Sequence, residues 1–146
     1  MSVTRTKARE QAFLVLFAIS FREENIEEIM DAVIENGDIK DDEFTRELIV
    51  GTNGEMPFID DMVKKYLKDW DIKRISKAAL AALRIAVYEM MSATSPVSVA
   101  INEAVELCKK YGADTDAAFV NGVLSSIAKS DVPAEESTAV GEDKPE

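Results

Sequence analysis

The chain has 146 residues, with 47% hydrophobic and 31% charged side chains and a net charge of −11, which is ordinary for one globular domain. No apolar run approaches the ~18 residues that a membrane-spanning helix needs, and we find no signal-peptide pattern. The chain has one cysteine and no histidine, which argues against a disulfide, the usual zinc sites and the commonest general base. We therefore expect a cytoplasmic protein that is not an enzyme and holds no cofactor or metal.

Apolar residues recur at helical spacing throughout the first half of the chain. A first helix is predicted from about Thr4 to Phe21, and a second between Asn25, which can cap it, and Gly37. The third and fourth helices are predicted to open at Asp41–Asp42 and at Pro57.

The second half of the chain predicts three further helices. Ser76 caps a fifth that runs to about Met91 and is apolar on nearly all sides, which is typical of a helix at the centre of a fold. A sixth covers Val97–Tyr111 and ends at a glycine. A seventh is capped by Asp114 or Thr115.

The helical pattern stops after Ser130. The segment Asp131–Glu146 contains six acidic residues, one basic residue and few large apolar side chains, a composition typical of disorder. The sequence therefore predicts an all-α protein of about seven helices in residues 1–130, followed by a disordered acidic tail in residues 131–146.

Few residues could support catalysis. Glu103 and Glu106 lie one helical turn apart, but contacts to Lys109 and Lys110 explain them better than acid or metal chemistry. Cys108 has no histidine to activate it, so a buried apolar role is favoured.

The N-terminal segment is basic although the whole chain is acidic. Arg5, Lys7 and Arg9 stand at the start of the first helix, and Arg5 and Arg9 share one face because they are four residues apart. Guanidinium groups match phosphate oxygens, so this segment could contact RNA, or it could simply be solvated. Phe17, two turns further on, could stack on a base or belong to the core.

The sequence resembles the NusB family over about residues 3 to 128. The resemblance depends on four segments whose order and spacing look like the family signature. They are Leu83-Arg84-Ile85-Ala86-Val87-Tyr88-Glu89-Met90, Val99-Ala100-Ile101-Asn102-Glu103-Ala104-Val105-Glu106-Leu107, Lys110-Tyr111-Gly112 and Phe119-Val120-Asn121-Gly122-Val123-Leu124. Shorter matches lie at Ala8-Arg9-Glu10, Leu48-Ile49-Val50-Gly51, Ile59-Asp60 and Tyr66-Leu67.

This resemblance implies two packed helical bundles and a role in transcription antitermination. Members of the family bind the box A element of nascent ribosomal RNA as a heterodimer with the ribosomal protein NusE, and help RNA polymerase resist termination. By resemblance, the RNA-contacting residues here are Arg5, Lys7, Arg9, Phe17, Tyr66, Thr115 and Phe119.

Some residues depart from the family pattern or need a structural role. Thr6 stands where a base is often found, and Ala79 where an acidic residue often contacts the partner. We expect Asn102 and Asn121 to be buried and to hold backbone, because buried polar groups need partners. Gly122 is expected to let two helices approach closely.

Two alternatives stay open. A NusB-like domain also occurs fused to ribosomal RNA cytosine methyltransferases, but that would require a much longer catalytic domain. The second alternative is a structural helical module that forms a homodimer.

Overall fold

The computed structural model describes residues 3–19, 25–67 and 71–132. Within these ranges the chain forms seven α-helices and no strand, so the predicted all-α fold of seven helices is confirmed. The α-helices are α1 (Arg5–Ile19), α2 (Ile26–Glu35), α3 (Glu43–Gly54), α4 (Met56–Lys64), α5 (Lys77–Ser92), α6 (Val97–Tyr111) and α7 (Asp114–Asp131), with a short 3₁₀ helix, Ile72–Arg74, before α5. The predicted end of the first helix at Phe21 and the predicted tail from residue 133 onward lie outside the described residues.

Helix α5 is the centre of the molecule, as its composition predicts. It packs against five of the other helices, namely α1, α3, α4, α6 and α7. Eleven of its sixteen residues are buried, and small alanine side chains let neighbouring helices lie close to it. The helix therefore joins a bundle formed by α1–α3 to a bundle formed by α4–α7.

Two predicted caps are present at the starts of helices. The Ser76 hydroxyl accepts a hydrogen bond from the backbone N–H of Ala79 at 3.1 Å, and the Asp42 carboxylate accepts one from Thr45 at 3.0 Å. Both satisfy N–H groups that have no partner within the helix. Asp42 also accepts a hydrogen bond from the N–H of Val3, which attaches the N-terminal segment to α3.

Of the other two predicted caps, Asn25 is right in position only and the cap of α7 is wrong. Asn25 occupies the position before α2, but its side chain makes no capping hydrogen bond. Helix α7 begins one residue earlier than predicted, after Ala113, whose N–H donates to the Asp116 carboxylate at 2.9 Å. Asp116 therefore satisfies the backbone from inside the helix, in place of Asp114 or Thr115.

The helical domain extends past its predicted boundary at residue 130. Asp131 is the last residue of α7, and its carboxylate accepts hydrogen bonds from Lys65 and Tyr66. Val132 is buried. These two residues belong to the packed structure and connect α7 to the end of α4.

The polar residues of the family-like segments are placed differently from our expectation. Asn102 and Asn121 are exposed, and a methyl group at Gly122 would meet nothing within 4 Å. The close glycine contact lies instead at Gly51, where an added Cβ would overlap the Tyr88 ring. The predictions for Asn102, Asn121 and Gly122 were therefore wrong, because all three lie beyond the buried face of α6 or α7.

Candidate functional site

Arg9 on α1 points into the protein. Its guanidinium donates to both carboxylate oxygens of Glu89 on α5 at 2.9 Å, and to the Ser95 hydroxyl at 2.9 Å. The Arg9 side chain is only 3% exposed, and a carboxylate oxygen of Glu103 lies 3.8 Å from it. Such paired donors fix the position of α1 on α5. The structure therefore gives Arg9 a structural role and does not place it on the surface predicted to meet RNA.

Arg5 lies on the same face of α1, as predicted from its spacing, but stays exposed at the edge of the molecule. Its guanidinium lies over the Phe44 ring at 4.0 Å from the centroid and donates to the backbone oxygen of Thr94 at 3.1 Å. Stacking on an aromatic ring orients an arginine without burying it. Arg5 is therefore held at the rim of the Arg9–Glu89 contact.

A third basic residue, Lys7, lies on the outer face of α1 within a group that we call the Glu10 cluster, made of Lys7, Glu10, Lys110 and Tyr111. The Glu10 carboxylate lies 3.4 Å from the Lys7 ammonium and 2.5 Å from the Lys110 ammonium, and accepts a hydrogen bond from the Tyr111 hydroxyl. Hydrogen bonds from Lys110 first, and then Tyr111, lower the pKa of Glu10 to about 2. Glu10 is therefore ionised at neutral pH, and it joins α1 to the end of α6.

Tyr111 of the Glu10 cluster is followed by two aromatic rings of α1. The buried ring of Phe13 stacks on Tyr111, with centroids 5.2 Å apart, and on Phe17, with centroids 5.8 Å apart. Phe17 is 38% exposed, so it is neither a core residue nor fully solvated. Its position on Phe13 holds an aromatic face at the surface, as the stacking role predicted for it requires.

The remaining predicted residues fall into two places. Thr115 and Phe119 line a cleft of about 320 Å³ together with Arg74, Ile75, Ser76 and Asp116, between the start of α5 and the start of α7. Tyr66 does not line this cleft, because its hydroxyl is bonded to Asp131 at the far end of α7. Arg74 also lines this cleft and was not singled out from the sequence, because a base between two helices forms no pattern that points to a site.

The position of Ala79 also differs from the expected partner surface. Ala79 lies in the first turn of α5 and is fully buried. It therefore presents no side chain to a partner in this structure.

The described residues hold little that could support catalysis. Residues 3–19, 25–67 and 71–132 contain no group of three or more His, Cys, Asp or Glu side chains placed to hold a metal ion. Burial raises the pKa of the Cys108 thiol to about 12, so this side chain is a poor nucleophile at neutral pH. Glu106 pairs with Lys109 at 3.3 Å, as the sequence favours.

None of the described helices combines the length and the apolar character that crossing a lipid bilayer needs.

Exposed aromatic rings beside basic side chains, as on α1 of this all-α domain, are the combination that sites for single-stranded nucleic acid use. Comparison with known proteins identifies the group to which it belongs. The model of the NusB family matches residues 6–129, and the chain belongs to that family.

Individual relatives match along most of their length. The transcription antitermination protein NusB of Staphylococcus aureus (strain USA300 / TCH1516) is 37% identical over 129 residues, which cover 87% of this chain and 100% of that protein. A solved structure of T. maritima NusB is similar with a TM-score of 0.82 at 33% identity, covering 93% of this chain and 98% of that chain. A chain from a structure of the antitermination factors NusB and NusE in complex with double-stranded RNA gives a TM-score of 0.75 at 34% identity, covering 86% of this chain and 96% of that chain.

Proposed function

We propose that this protein is a transcription antitermination factor that binds box A RNA of nascent ribosomal RNA transcripts as a heterodimer with the ribosomal protein NusE. In this role it acts in the cytoplasm, without catalysis, as part of the complex that helps RNA polymerase resist termination. The observation that carries the proposal is the likeness, over 86% of the chain, to a protein solved together with NusE and RNA.

The surface chemistry supports RNA contact by most of the predicted residues. Lys7 offers an exposed ammonium for phosphate, and Arg5 an exposed guanidinium held on a ring. Phe17 offers a fixed aromatic face, and Thr115 and Phe119 line one cleft. We propose that these five residues contact RNA directly.

The two other predicted residues serve the site less directly. Arg9 anchors α1 through Glu89, so it positions Arg5 and Lys7 without contacting RNA itself. Tyr66 lies just after α4 and its hydroxyl donates to Asp131 at the end of α7, so any contact of this half-buried side chain with RNA is made beside that hydrogen bond.

The charge of the protein explains why a partner is needed. With a net charge of −11, the chain repels a polyanion at long range, and only local groups of bases can attract phosphate. A partner with a positively charged surface, bound beside the site, would add the missing positive field. We therefore expect weak RNA binding by this protein alone and clearly tighter binding by its complex with NusE.

The test is a fluorescence-anisotropy titration of a labelled box A oligonucleotide with the protein alone, with its cognate NusE alone, and with both. Cooperative binding by the mixture supports the proposal, and a scrambled oligonucleotide controls for sequence. Equal affinity with and without this protein would overturn it. Light scattering on the same samples distinguishes a heterodimer from the homodimer that the sequence also allows.

A further inference from the structure

The Glu10 cluster is built from two helices that lie far apart in the sequence. Glu10 and Lys7 come from α1, whereas Lys110 and Tyr111 come from the last turn of α6. One carboxylate oxygen of Glu10 accepts hydrogen bonds from both the Lys110 ammonium and the Tyr111 hydroxyl. The other oxygen lies 3.4 Å from the Lys7 ammonium. The carboxylate therefore fixes two lysine side chains in one place.

The basic side chains of the Glu10 cluster are more exposed than its acidic side chain. The Glu10 side chain is 14% exposed, whereas those of Lys7 and Lys110 are 56% and 63% exposed. The negative charge lies beneath and the two positive charges face solvent, so the outer surface of the cluster carries a surplus of one positive charge. An ammonium has three donors, and each lysine uses only part of this capacity on Glu10.

Two further acids lie near the Glu10 cluster. Glu103 and Glu106 line the same cleft between α1 and α6. Glu103 accepts a hydrogen bond from Thr6 and lies 3.8 Å from Arg9, and Glu106 lies 3.3 Å from Lys109. Lys109 therefore balances Glu106, whereas the Arg9 guanidinium near Glu103 is already paired with Glu89. The surplus positive charge belongs to the exposed face of the Glu10 cluster, not to the cleft as a whole.

The aromatic rings connect the Glu10 cluster to Phe17. Phe13 stacks with both Tyr111 and Phe17, which places the Tyr111 and Phe17 centroids no more than about 11 Å apart. Sites for single-stranded RNA combine aromatic faces for the bases with cations for the backbone. The face of α1 that carries Phe17 therefore continues directly into Lys7 and Lys110, the two lysines that Glu10 holds in place.

From this geometry we propose that Lys7 and Lys110 together bind a backbone phosphate of the RNA strand whose base stacks on Phe17, and that Glu10 is the residue that positions them. The proposal rests on the proposed function, since it assigns a further part of the same RNA site. It extends that site from α1 to the end of α6, which none of the residues predicted from the sequence reaches. Pre-positioned lysines lose less side-chain freedom on binding than free ones.

Lys109 provides a matched control for Lys110. The two are neighbours on α6, have similarly exposed side chains and carry the same charge, but Lys109 pairs with Glu106. The test compares Lys110→Ala with Lys109→Ala. A single-stranded box A oligonucleotide is titrated with the complex of each full-length variant and NusE at several salt concentrations. Losing one phosphate contact makes the negative slope of log affinity against log salt shallower by roughly 0.7. At about 0.1 M salt this corresponds to an affinity that is about fivefold weaker. We expect this loss for Lys110→Ala and less than about twofold, with an unchanged slope, for Lys109→Ala.

A Glu10→Gln variant tests the positioning role through the direction of its effect. It removes a negative charge, so binding governed by net charge alone would become tighter. If Glu10 positions the lysines, affinity falls instead, and adding Lys110→Ala to Glu10→Gln costs little more. Melting curves on each variant show that the fold is retained.

The outcomes separate this proposal from the one on which it depends. No binding of box A RNA by the wild-type complex overturns the proposed function and this assignment with it. Binding by the wild type with equal losses for Lys110→Ala and Lys109→Ala overturns the phosphate site alone. Tighter binding by Glu10→Gln overturns the positioning role of Glu10.

Discussion

Lys7 and Arg9 stand two residues apart on α1, and each contacts a carboxylate, yet one pair lies at the surface and the other lies in the core. A step of two residues along an α-helix is a rotation of about 200° around its axis, so the two side chains leave the helix on opposite sides. Arg9 and Glu89 are almost completely buried, whereas the Lys7 ammonium faces solvent. The number of bases in a segment therefore does not give the number available to a ligand.

The two pairs also differ in what they contribute to stability. A surface ion pair is worth about 0–1 kcal/mol, since water and salt screen it. Removing one partner of a buried pair costs about 3–5 kcal/mol, because the other charge is left without a partner in a poorly solvated place. The comparison can therefore be tested by substitutions on the two faces of one helix.

The largest expected effect is that of Arg9→Ala. It leaves the Glu89 carboxylate buried with the Ser95 hydroxyl as its remaining donor, so the free energy of unfolding should fall by about 3–5 kcal/mol. Urea denaturation followed by circular dichroism measures this change. Lys7→Ala is the control on the outer face and should change stability by less than about 0.5 kcal/mol. Similar effects for the two variants would refute the distinction between the faces.

The second prediction concerns Phe17 on the outer face. Phe17→Ala should weaken RNA binding by the complex with NusE by about 1–3 kcal/mol and leave the salt slope nearly unchanged, because a stacking contact carries no charge. Its loss of stability should be smaller than the ~3–5 kcal/mol of a buried phenylalanine. Leu14→Ala is the control, since Leu14 is exposed to a similar extent but has no aromatic ring. A steeper or flatter salt dependence for Phe17→Ala would argue against stacking.

The smallest expected effect is a change in pH dependence caused by the Glu10 cluster. The folded protein lowers the pKa of Glu10 from 4.5 to about 2, so its contribution to stability is present above pH 4.5 and is lost as the pH falls toward 2. Glu10→Gln should therefore flatten the fall of stability over this acid range. Thermal melts of both proteins at several pH values measure it. Parallel curves of stability against pH for the wild type and Glu10→Gln would mean that Lys110 and Tyr111 do not hold the Glu10 carboxylate in its ionised form.

Much of the fold was predictable because local patterns determine it. The apolar composition of residues 78–87 indicated that α5 is central, and a proline and a glycine marked the limits of α6 correctly. The expectation for Asn102 failed for a reason that helical geometry explains. Asn102 lies on the opposite side of α6 from Ala100 and Ala104, so the apolar neighbours in the sequence are not neighbours in space.

The candidate site was predictable only in part, because burial depends on contacts between distant residues. Arg9 and Glu89 are 80 residues apart, and no local pattern reports that they meet. The sequence did contain a signal that each residue is buried. Arg9 precedes Ala12 by three residues and Phe13 by four, so it shares their apolar face, and Glu89 lies on a helix that is apolar nearly all round. A charged residue on each of two apolar faces is best explained by an ion pair between them.

Burial of the thiol of Cys108 has a practical consequence for spectroscopy. With a pKa of about 12, only on the order of 10⁻⁵ of the molecules carry a thiolate at pH 7, and maleimide dyes react with the thiolate. The natural cysteine can therefore be left in place while a second cysteine is introduced on an exposed helix face for fluorophore attachment. Energy transfer from such a dye to labelled RNA would then report the direction in which the strand runs across the protein.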